Sequence, residues 1–490
     1  MNESALVNRV WNYAHVLRRQ GIPFGDYIEQ ITYLLFLKMD EEREALLGER
    51  SAIPGPYRWH CLKALDGDDL EVHYRHALEK LSREKGLMGQ IFKGAQNKIT
   101  DPVKLKRLIS LIDGESWLAL DTDVKGTIYE GLLERNAQEV KSGAGQYFTP
   151  RPLIQTMVEV IDPRIDETVC DPACGTGGFL LAAYDHMKGQ SQDRALQRKL
   201  RSGALDGYDL VAEVVRLAAM NMYLHGIGET ESPIHERDAL ARRPDKRWKV
   251  VLTNPPFGRM GAFSVIDIET GKVTKERESY ERDDFIASTS NNQLNFLQHI
   301  MSILKQSGRA GVVLPDNVLF EAGAGEKIRR RLLDGFDFHT MLRLPTGIFY
   351  SQGVKANVLF FDKRQGEEPL TKELWIYDFR TNEHFTLKQN PLTRDKLADF
   401  VACYRPGARH EREETERFKR FPYADIARRD RLNLDIFWLK DESLEDSADL
   451  PAPDVIAAEI VENLEAALTQ FRSVALALGA TEAVEAITTD

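Results

Sequence analysis

Cysteine is scarce in this chain. Its 490 residues hold four, Cys61, Cys170, Cys174 and Cys403. The close pair is separated by three residues and no second pair follows, so the usual zinc patterns are excluded. So few thiols point to a reducing cytoplasm. Long hydrophobic runs are missing too. The longest, ITYLLFLKM, falls far short of the ~20 residues a membrane span needs. The opening MNESALVNRVW lacks the charged-then-apolar pattern of an export signal. The expectation is a cytoplasmic protein with no membrane partner. Basic charge is not in excess either: 65 Lys and Arg against 76 Asp and Glu give a formal net charge of -11. A protein that grips nucleic acid unaided usually shows a basic surface, because phosphate neutralisation supplies most of the non-specific affinity. Any such role here needs a local basic strip or a basic partner.

What is present is a chain too long for one core, and two or three domains are expected. Residues 1–140 read as helical. In SALVNRVWNYAHVLRRQG the residues Leu6, Val10, Ala14 and Leu17 share a face and Gly21 closes the segment. FGDYIEQITYLLFLKMDEEREALLG is longer and more apolar, and further helices are expected around 70–85, 102–113 and 122–138. From about residue 145 the period changes. Short strands at ETVC, GALDGY, PIHE, KVVLT, AGVVLP, TMLRLP, NVLFFD and LWIYDF mostly alternate with helical stretches such as DLVAEVVRLAAMNMYLHG and NQLNFLQHIMSILKQSG. That alternation implies an α/β domain over 141–400, a doubly wound, mostly parallel sheet. The stretch 401–490 turns acidic, with a dozen acids against Arg472 alone past residue 440. Within it DVIAAEIVENLEAALTQFRSVALAL keeps apolar residues at helical spacing, a face to bury against this chain or a partner.

Three stretches can carry chemistry. DPACGTGGFLLAAY follows the strand ETVC and puts Gly175, Thr176, Gly177 and Gly178 in a strand-to-helix turn, where a ligand can approach the backbone closely. Leu180 stands where a dinucleotide fingerprint would have its third glycine, and Asp171 at the strand end suits a ligand bearing positive charge. The bland reading is a turn needing glycine for tight packing alone. One βα unit later Asp209 can accept both hydroxyls of a ribose; its bland reading is a helix cap. Asp238, after a third strand, can take an adenine amino group, although an acid ending a strand is common. Last, the buried strand VVLT runs into Asn254, Pro255, Pro256 and Phe257. Prolines stop the pairing and leave Asn254 at the carboxyl edge of the sheet, where ligands bind in open α/β folds. If the substrate is an exocyclic amine on a planar base, the Asn254 side-chain oxygen and the Pro255 carbonyl can each accept one N–H and aim the nitrogen lone pair. Phe257 offers the base a stacking face. The alternative is a proline-ended strand that simply turns.

GQYFTPRPLI at 145–154, DPACGTGGFL at 171–180 and NPPFG at 254–258 together resemble the signature motifs of amino-group DNA methyltransferases that use S-adenosylmethionine. With the FTP-type motif first, their order resembles that of the modification subunits of type I restriction-modification systems, the HsdM family. Further resemblance lies in RVWNYAHVLRRQGIPFGDYIEQITYLLFLK, KGTIYEGLLE, GRAGVVLPDNVLF and LRLPTGIFYSQGVKANVLFFDK, so it covers most of the chain. It implies that Gln146, Tyr147, Phe148, Thr149, Pro150 and Arg151 line the methionine end of the cofactor, with Phe148 and Thr149 closest. Gly175 to Gly178 would pass under it, Asp171 would face its ammonium group and Asp209 would hold its ribose. Asn254, Pro255, Pro256 and Phe257 would cradle an adenine flipped out of double-stranded DNA. Cys174 and Gly178 depart from the commoner small residues at their positions without changing that implication. The family implies two copies of this subunit on one DNA-specificity subunit, joined by a nuclease and translocase subunit for restriction. On that view the amino-terminal helices and the carboxyl-terminal helix are assembly surfaces, and the charged stretch 259–290, with Lys272, Lys275, Arg277 and Arg282, orders over DNA. Related NPPF quartets act on cytosine, on guanine in ribosomal RNA and on a protein glutamine, and a structural subunit without catalysis is a further alternative. A nicotinamide dehydrogenase fails for want of the third glycine.

Overall fold

The computed structural model describes residues 10, 12–13, 24–48, 50–117, 149–228, 231–257, 279–349, 354–383, 385–386 and 390–440, and the backbone alone of 262–266 and 273–277. The helices expected within 4–21, 122–138 and 454–478 therefore lie wholly or mostly outside the described residues. Met1–Leu439 form one compact unit.

The amino-terminal region is helical, as its periodicity predicts. Helix α1 (Phe24–Leu47) is almost wholly buried from Gln30 to Asp40. It packs with α2 (Gly67–Leu81) and α3 (Pro102–Asp113) around Phe36, Trp59, Leu78 and Leu108. Local chemistry sets the start of α3. The Asp101 side chain accepts from the Val103 and Lys104 N–H groups and Pro102 occupies the first turn, where no N–H is needed. Leu105, Leu108, Ile109 and Ile112 then fall on one buried face.

A nine-stranded sheet forms the rest. Its strands are β1 (Val169–Asp171), β2 (Leu205–Asp209), β3 (Ile234–Glu236), β4 (Trp248–Thr253), β7 (Leu304–Pro315), β8 (Asp337–Arg343), β9 (Ala356–Asp362), β10 (Glu373–Asp378) and β11 (Phe418–Pro422). The order across the sheet is β11-β10-β8-β9-β7-β4-β1-β2-β3. Two further strands, β5 (Ala262–Ile266) and β6 (Val273–Arg277), pair only with each other. Within the nine-stranded sheet β9 runs antiparallel to both neighbours and β11 antiparallel to β10, while its other pairs are parallel; β5 and β6 are antiparallel to each other. The sheet is thus mixed, and Asp171, Asp209, Glu236, Thr253, Pro315, Arg343 and Asp378 end their strands on one shared edge.

Both faces are covered. Helices α4 (Arg151–Ile161) and α5 (Gly178–Lys188) bury Leu153, Met157, Leu180 and Met187 against one face. Helices α7 (Asn292–Ile303) and α8 (Ala324–Gly335) bury Leu297, Ile300, Ile328 and Leu332 against the other. Between them in sequence, α6 (Ala212–Leu224) is buried continuously from Leu217 to Leu224, because it is sandwiched. Val215, Ala218 and Met222 face the sheet core, and Leu217, Met220 and Tyr223 face the amino-terminal helices. A helix apolar on every side needs such double cover. The contact also has a polar lock: Arg43 Nη1 donates to the Tyr223 carbonyl at 2.6 Å and the Tyr223 hydroxyl donates to Asp40 at 2.7 Å.

Candidate functional site

The site is assembled at the shared strand edge. Strand β1 lies between β2 and β4, with Val169 opposite both Leu205 and Val250, so the turn after β1, the end of β2 and the end of β4 are neighbours. In the turn Gly175 and Gly177 take φ of 53° and 87°, the left-handed region in which a side chain is strained. A Cβ on Gly177 would also come within 2.7 Å of Met222 Cε, so the methionine end would have to shift. Gly178 begins α5. The Asn221 amide, buried in α6, donates to the Thr176 carbonyl at 3.0 Å and holds the turn from below.

Carboxylates flank this turn. Asp171 is 1% exposed and its Oδ1 accepts from the Ala173 N–H at 3.1 Å. Burial pushes its pKa up to about 7, the Asp209 charge adds to that, and the Thr253 hydroxyl and the Ala173 N–H oppose it. Asp209 is also raised by burial. It accepts from the Gly175 N–H at 3.2 Å and from the Val211 N–H at 2.9 Å, so it ties the glycine turn to the end of β2. The cap of α6 is Val211, not Asp209. Asp238 is engaged on both oxygens, by the Leu240 N–H and by the Tyr280 hydroxyl, each at 2.8 Å.

Asn254 follows directly on β4 and is 8% exposed. Its Nδ2 donates to Thr149 Oγ1 at 2.8 Å, across 105 residues of chain. Its Oδ1 is buried and has no hydrogen-bond partner among the described residues, an arrangement that native structures rarely leave without a reason. Pro255 and Pro256 bring no N–H, so the turn offers acceptors and no competing backbone donor at these positions. The Pro256 carbonyl is taken by Gln293 Nε2 at 3.1 Å, while the Pro255 carbonyl accepts nothing from the described residues. Phe257 is half-buried and meets Phe349 edge to face, with centroids 6.1 Å apart. Nearby on the same edge Arg380 forks onto both oxygens of Asp316 at 2.7 and 2.8 Å and onto the Leu344 and Ala356 carbonyls, bracing the loops after β7 and β8.

Of the residues singled out in the sequence, Asp171, Gly175, Thr176, Gly177, Gly178 and Asp209 gather at the turn, and Asn254 with Pro255, Pro256 and Phe257 beside it. Thr149 sits against Asn254, with Pro150 and Arg151 leading into α4. Asp238 ends up under Tyr280, at the foot of the segment that follows β6. Gln146, Tyr147 and Phe148 lie outside the described residues. Sequence reasoning missed Asn221 and Gln293. Their one signal is an amide embedded in an apolar helical run, in LAAMNMYL and NNQLNFL.

A buried acceptor near a glycine turn and raised carboxyls, all on one edge of a doubly wound sheet, mark an α/β protein with a ligand site at the carboxyl ends of its strands. Comparison with known proteins narrows this. Residues 120–438 match the N-6 DNA Methylase family and residues 6–112 the HsdM N-terminal domain. The chain is 38% identical to the type I restriction enzyme StySJI methylase subunit of Salmonella typhimurium, covering 99% of this chain and 97% of that protein. It is 37% identical to the EcoKI methylase subunit of Escherichia coli over 98% and 97%. Among solved structures, a modification subunit of a putative type I restriction enzyme from Vibrio vulnificus superposes with a TM-score of 0.71 at 26% identity, covering 87% of this chain and 93% of that one. The EcoKI M protein gives 0.54 at 33% identity, over 97% and 96%. The chain belongs to the N-6 DNA methylase family, as a methylase subunit of the type I restriction-modification kind.

Proposed function

We propose that this subunit transfers a methyl group from S-adenosylmethionine to the exocyclic amino group of an adenine flipped out of double-stranded DNA, at sites chosen by a separate specificity subunit. The observation that carries the reading is Asn254 Oδ1, buried near the glycine turn and without a partner among the described residues. A buried acceptor without a donor costs about 1–3 kcal/mol, and a substrate amine would remove that cost.

The residues fit the cofactor. Gly175 and Gly177 take left-handed φ values that strain any side chain, and Asp171 is a carboxyl whose pKa burial raises. Asp171 would face the ammonium group. Asp209, with two backbone donors on its carboxylate, keeps lone pairs for ribose hydroxyls. When bound, the cofactor supplies an electrophilic methyl on a positively charged sulfur. Asn254 Oδ1 and the Pro255 carbonyl would each accept one N–H of the amine, which draws the nitrogen out of conjugation and aims its lone pair. Phe257 would stack on the base and offset part of the few kcal/mol that flipping costs. The methylated aryl ammonium is acidic enough to shed its proton to water, so no strong base is required. Asp238 would meet the adenine end of the cofactor, where Tyr280 now occupies one of its oxygens.

The partners proposed are one DNA-specificity subunit, a second copy of this chain, and a restriction subunit. The net charge of -11 supports recognition by another chain, and two similar relatives are named as methylase subunits. The segment around β5 and β6, with Lys272, Lys275 and Arg277, is proposed to lie over DNA. Arg282, expected with them, instead has its side chain only 4% exposed, donating to both oxygens of Asp284 at 2.9 and 2.6 Å and to the Leu240 carbonyl at 3.1 Å. Labelled-methyl transfer to DNA tests the reading: transfer is expected with the specificity subunit present and little without it. No transfer by the complete complex, or equal transfer by the lone chain, counts against it.

A further inference from the structure

We infer that Thr149 and Gln293 are positioning residues for methyl transfer. Thr149 fixes which end of the Asn254 amide faces the substrate amine, and Gln293 fixes which proline carbonyl joins it. The inference rests on Asn254 being the amine acceptor, and it gives Thr149 a role that a contact with the cofactor would not.

An asparagine amide has two ends of nearly equal size and opposite hydrogen-bonding character. Turned one way, Asn254 offers an incoming N–H an acceptor; turned the other, it offers a donor, and the two N–H groups repel. Nothing in the side chain itself decides between them. Here Nδ2 donates to Thr149 Oγ1 at 2.8 Å, so the hydroxyl, which can also donate, serves as the acceptor, and with Thr149 6% and Asn254 8% exposed water competes little for either group. The hydroxyl is held by its backbone. It precedes Pro150, the cap of α4, whose carbonyl accepts from the Leu153 and Ile154 N–H groups, and Pro152 stiffens the first turn. With Nδ2 committed to Thr149, Oδ1 is the end left open.

Gln293 solves the matching problem in the backbone. The turn has two adjacent proline carbonyls, and a flat amine can use one. Gln293, 2% exposed in the first turn of α7, donates to the Pro256 carbonyl at 3.1 Å. Its own position is set by Asn291, which accepts from the Gln293 and Leu294 N–H groups and donates to Glu321 at 2.7 Å. Pro256 thereby has a donor within the fold, and Pro255 is the carbonyl with none among the described residues.

The test uses the complete complex, saturated with S-adenosylmethionine, and compares single-turnover methyl transfer with the cofactor dissociation constant. Thr149→Val keeps the shape and removes the acceptor. It is expected to slow transfer by about 10–100-fold, as for one lost hydrogen bond that sets a reacting geometry, with cofactor affinity changed by less than about threefold. Thr149→Ser should return the rate to within about threefold. Gln293→Met should slow transfer by about 10-fold with the same unchanged affinity. A Thr149→Val complex with weakened cofactor binding and a normal saturated rate would make Thr149 a cofactor contact and overturn the inference, as would a serine variant as slow as the valine. Asn254→Ala separates the two levels. Full activity there removes the functional reading itself, whereas an inactive Asn254→Ala beside fully active Thr149→Val and Gln293→Met removes only this inference.

Discussion

Replacing Asp171 by asparagine separates what this carboxyl costs the fold from what it gives the site. The side chain is 1% exposed, and burial first, then the Asp209 charge, lifts its pKa from 3.8 to about 7. That is about three units at ~1.4 kcal/mol each, so holding the carboxylate charged in the ligand-free fold costs about 4 kcal/mol. The sign follows from proton counts. Between about pH 4 and about pH 7 the folded protein keeps a proton that the unfolded chain has released, so stability falls as pH rises through that window and levels off above it. Asp171→Asn removes the titration. Its amide hydrogens lose water without a full set of acceptors, which returns part of the gain and leaves about 1–3 kcal/mol of stabilisation at about pH 8. That advantage should shrink by about 2–3 kcal/mol at about pH 5, where the wild-type carboxyl is mostly neutral when folded. Thermal unfolding of both ligand-free proteins at the two pH values reads the difference as a few degrees of melting temperature. The same variant should bind S-adenosylmethionine more weakly by calorimetry, and wild-type binding should release a proton at about pH 6 but not at about pH 8. A variant no more stable than wild type at about pH 8, together with wild-type affinity flat from about pH 5 to about pH 8, would refute the reasoning.

Two further substitutions test the scaffold of the site. Gly207→Ala would place a Cβ 2.8 Å from Leu180 Cδ1, 2.9 Å from Ile234 Cδ1 and 3.0 Å from Cys174 Cβ. It should cost about 1–3 kcal/mol in unfolding experiments and weaken cofactor binding, because Cys174 opens the glycine turn; an unchanged melting temperature would contradict this. Arg380→Met leaves the Asp316 carboxylate with Asn357 but without its guanidinium. A loss of about 3–5 kcal/mol is expected, and Asp316→Asn in the same chain should recover part of it, both read by denaturant unfolding.

The parts of the fold legible in the sequence are those with a local cause. Asp101, Pro102 and the apolar spacing after them define α3 without reference to anything else. Each strand expected from an apolar run is present, because a strand buried on both faces must be apolar on successive residues. Direction is another matter. NVLFFD reads like its parallel neighbours, yet β9 runs the other way, since periodicity carries no sign. Strand β11 was hidden by Lys419 and Arg420, whose charge suits an edge, and the short pair β5 and β6 by the charged stretch around it. At the site, glycine, aspartate and the Asn-Pro-Pro turn stood out because each breaks a local rule. Thr149 stood out in its motif, but its contact with Asn254 spans 105 residues of chain, and Asn221 and Gln293 act across 45 and 37, distances that no local pattern records.

The central claim is that Asn254 Oδ1 accepts a hydrogen from an adenine amine. DNA treated with the complete complex and labelled S-adenosylmethionine, digested to nucleosides and weighed by mass spectrometry, tests it most directly, with Asn254→Ala alongside. The wild-type complex should yield N6-methyladenine and no methylcytosine, and the variant none of either while binding the cofactor within about threefold of wild type. Label on cytosine, or N6-methyladenine formed at the wild-type rate by the variant, would contradict it.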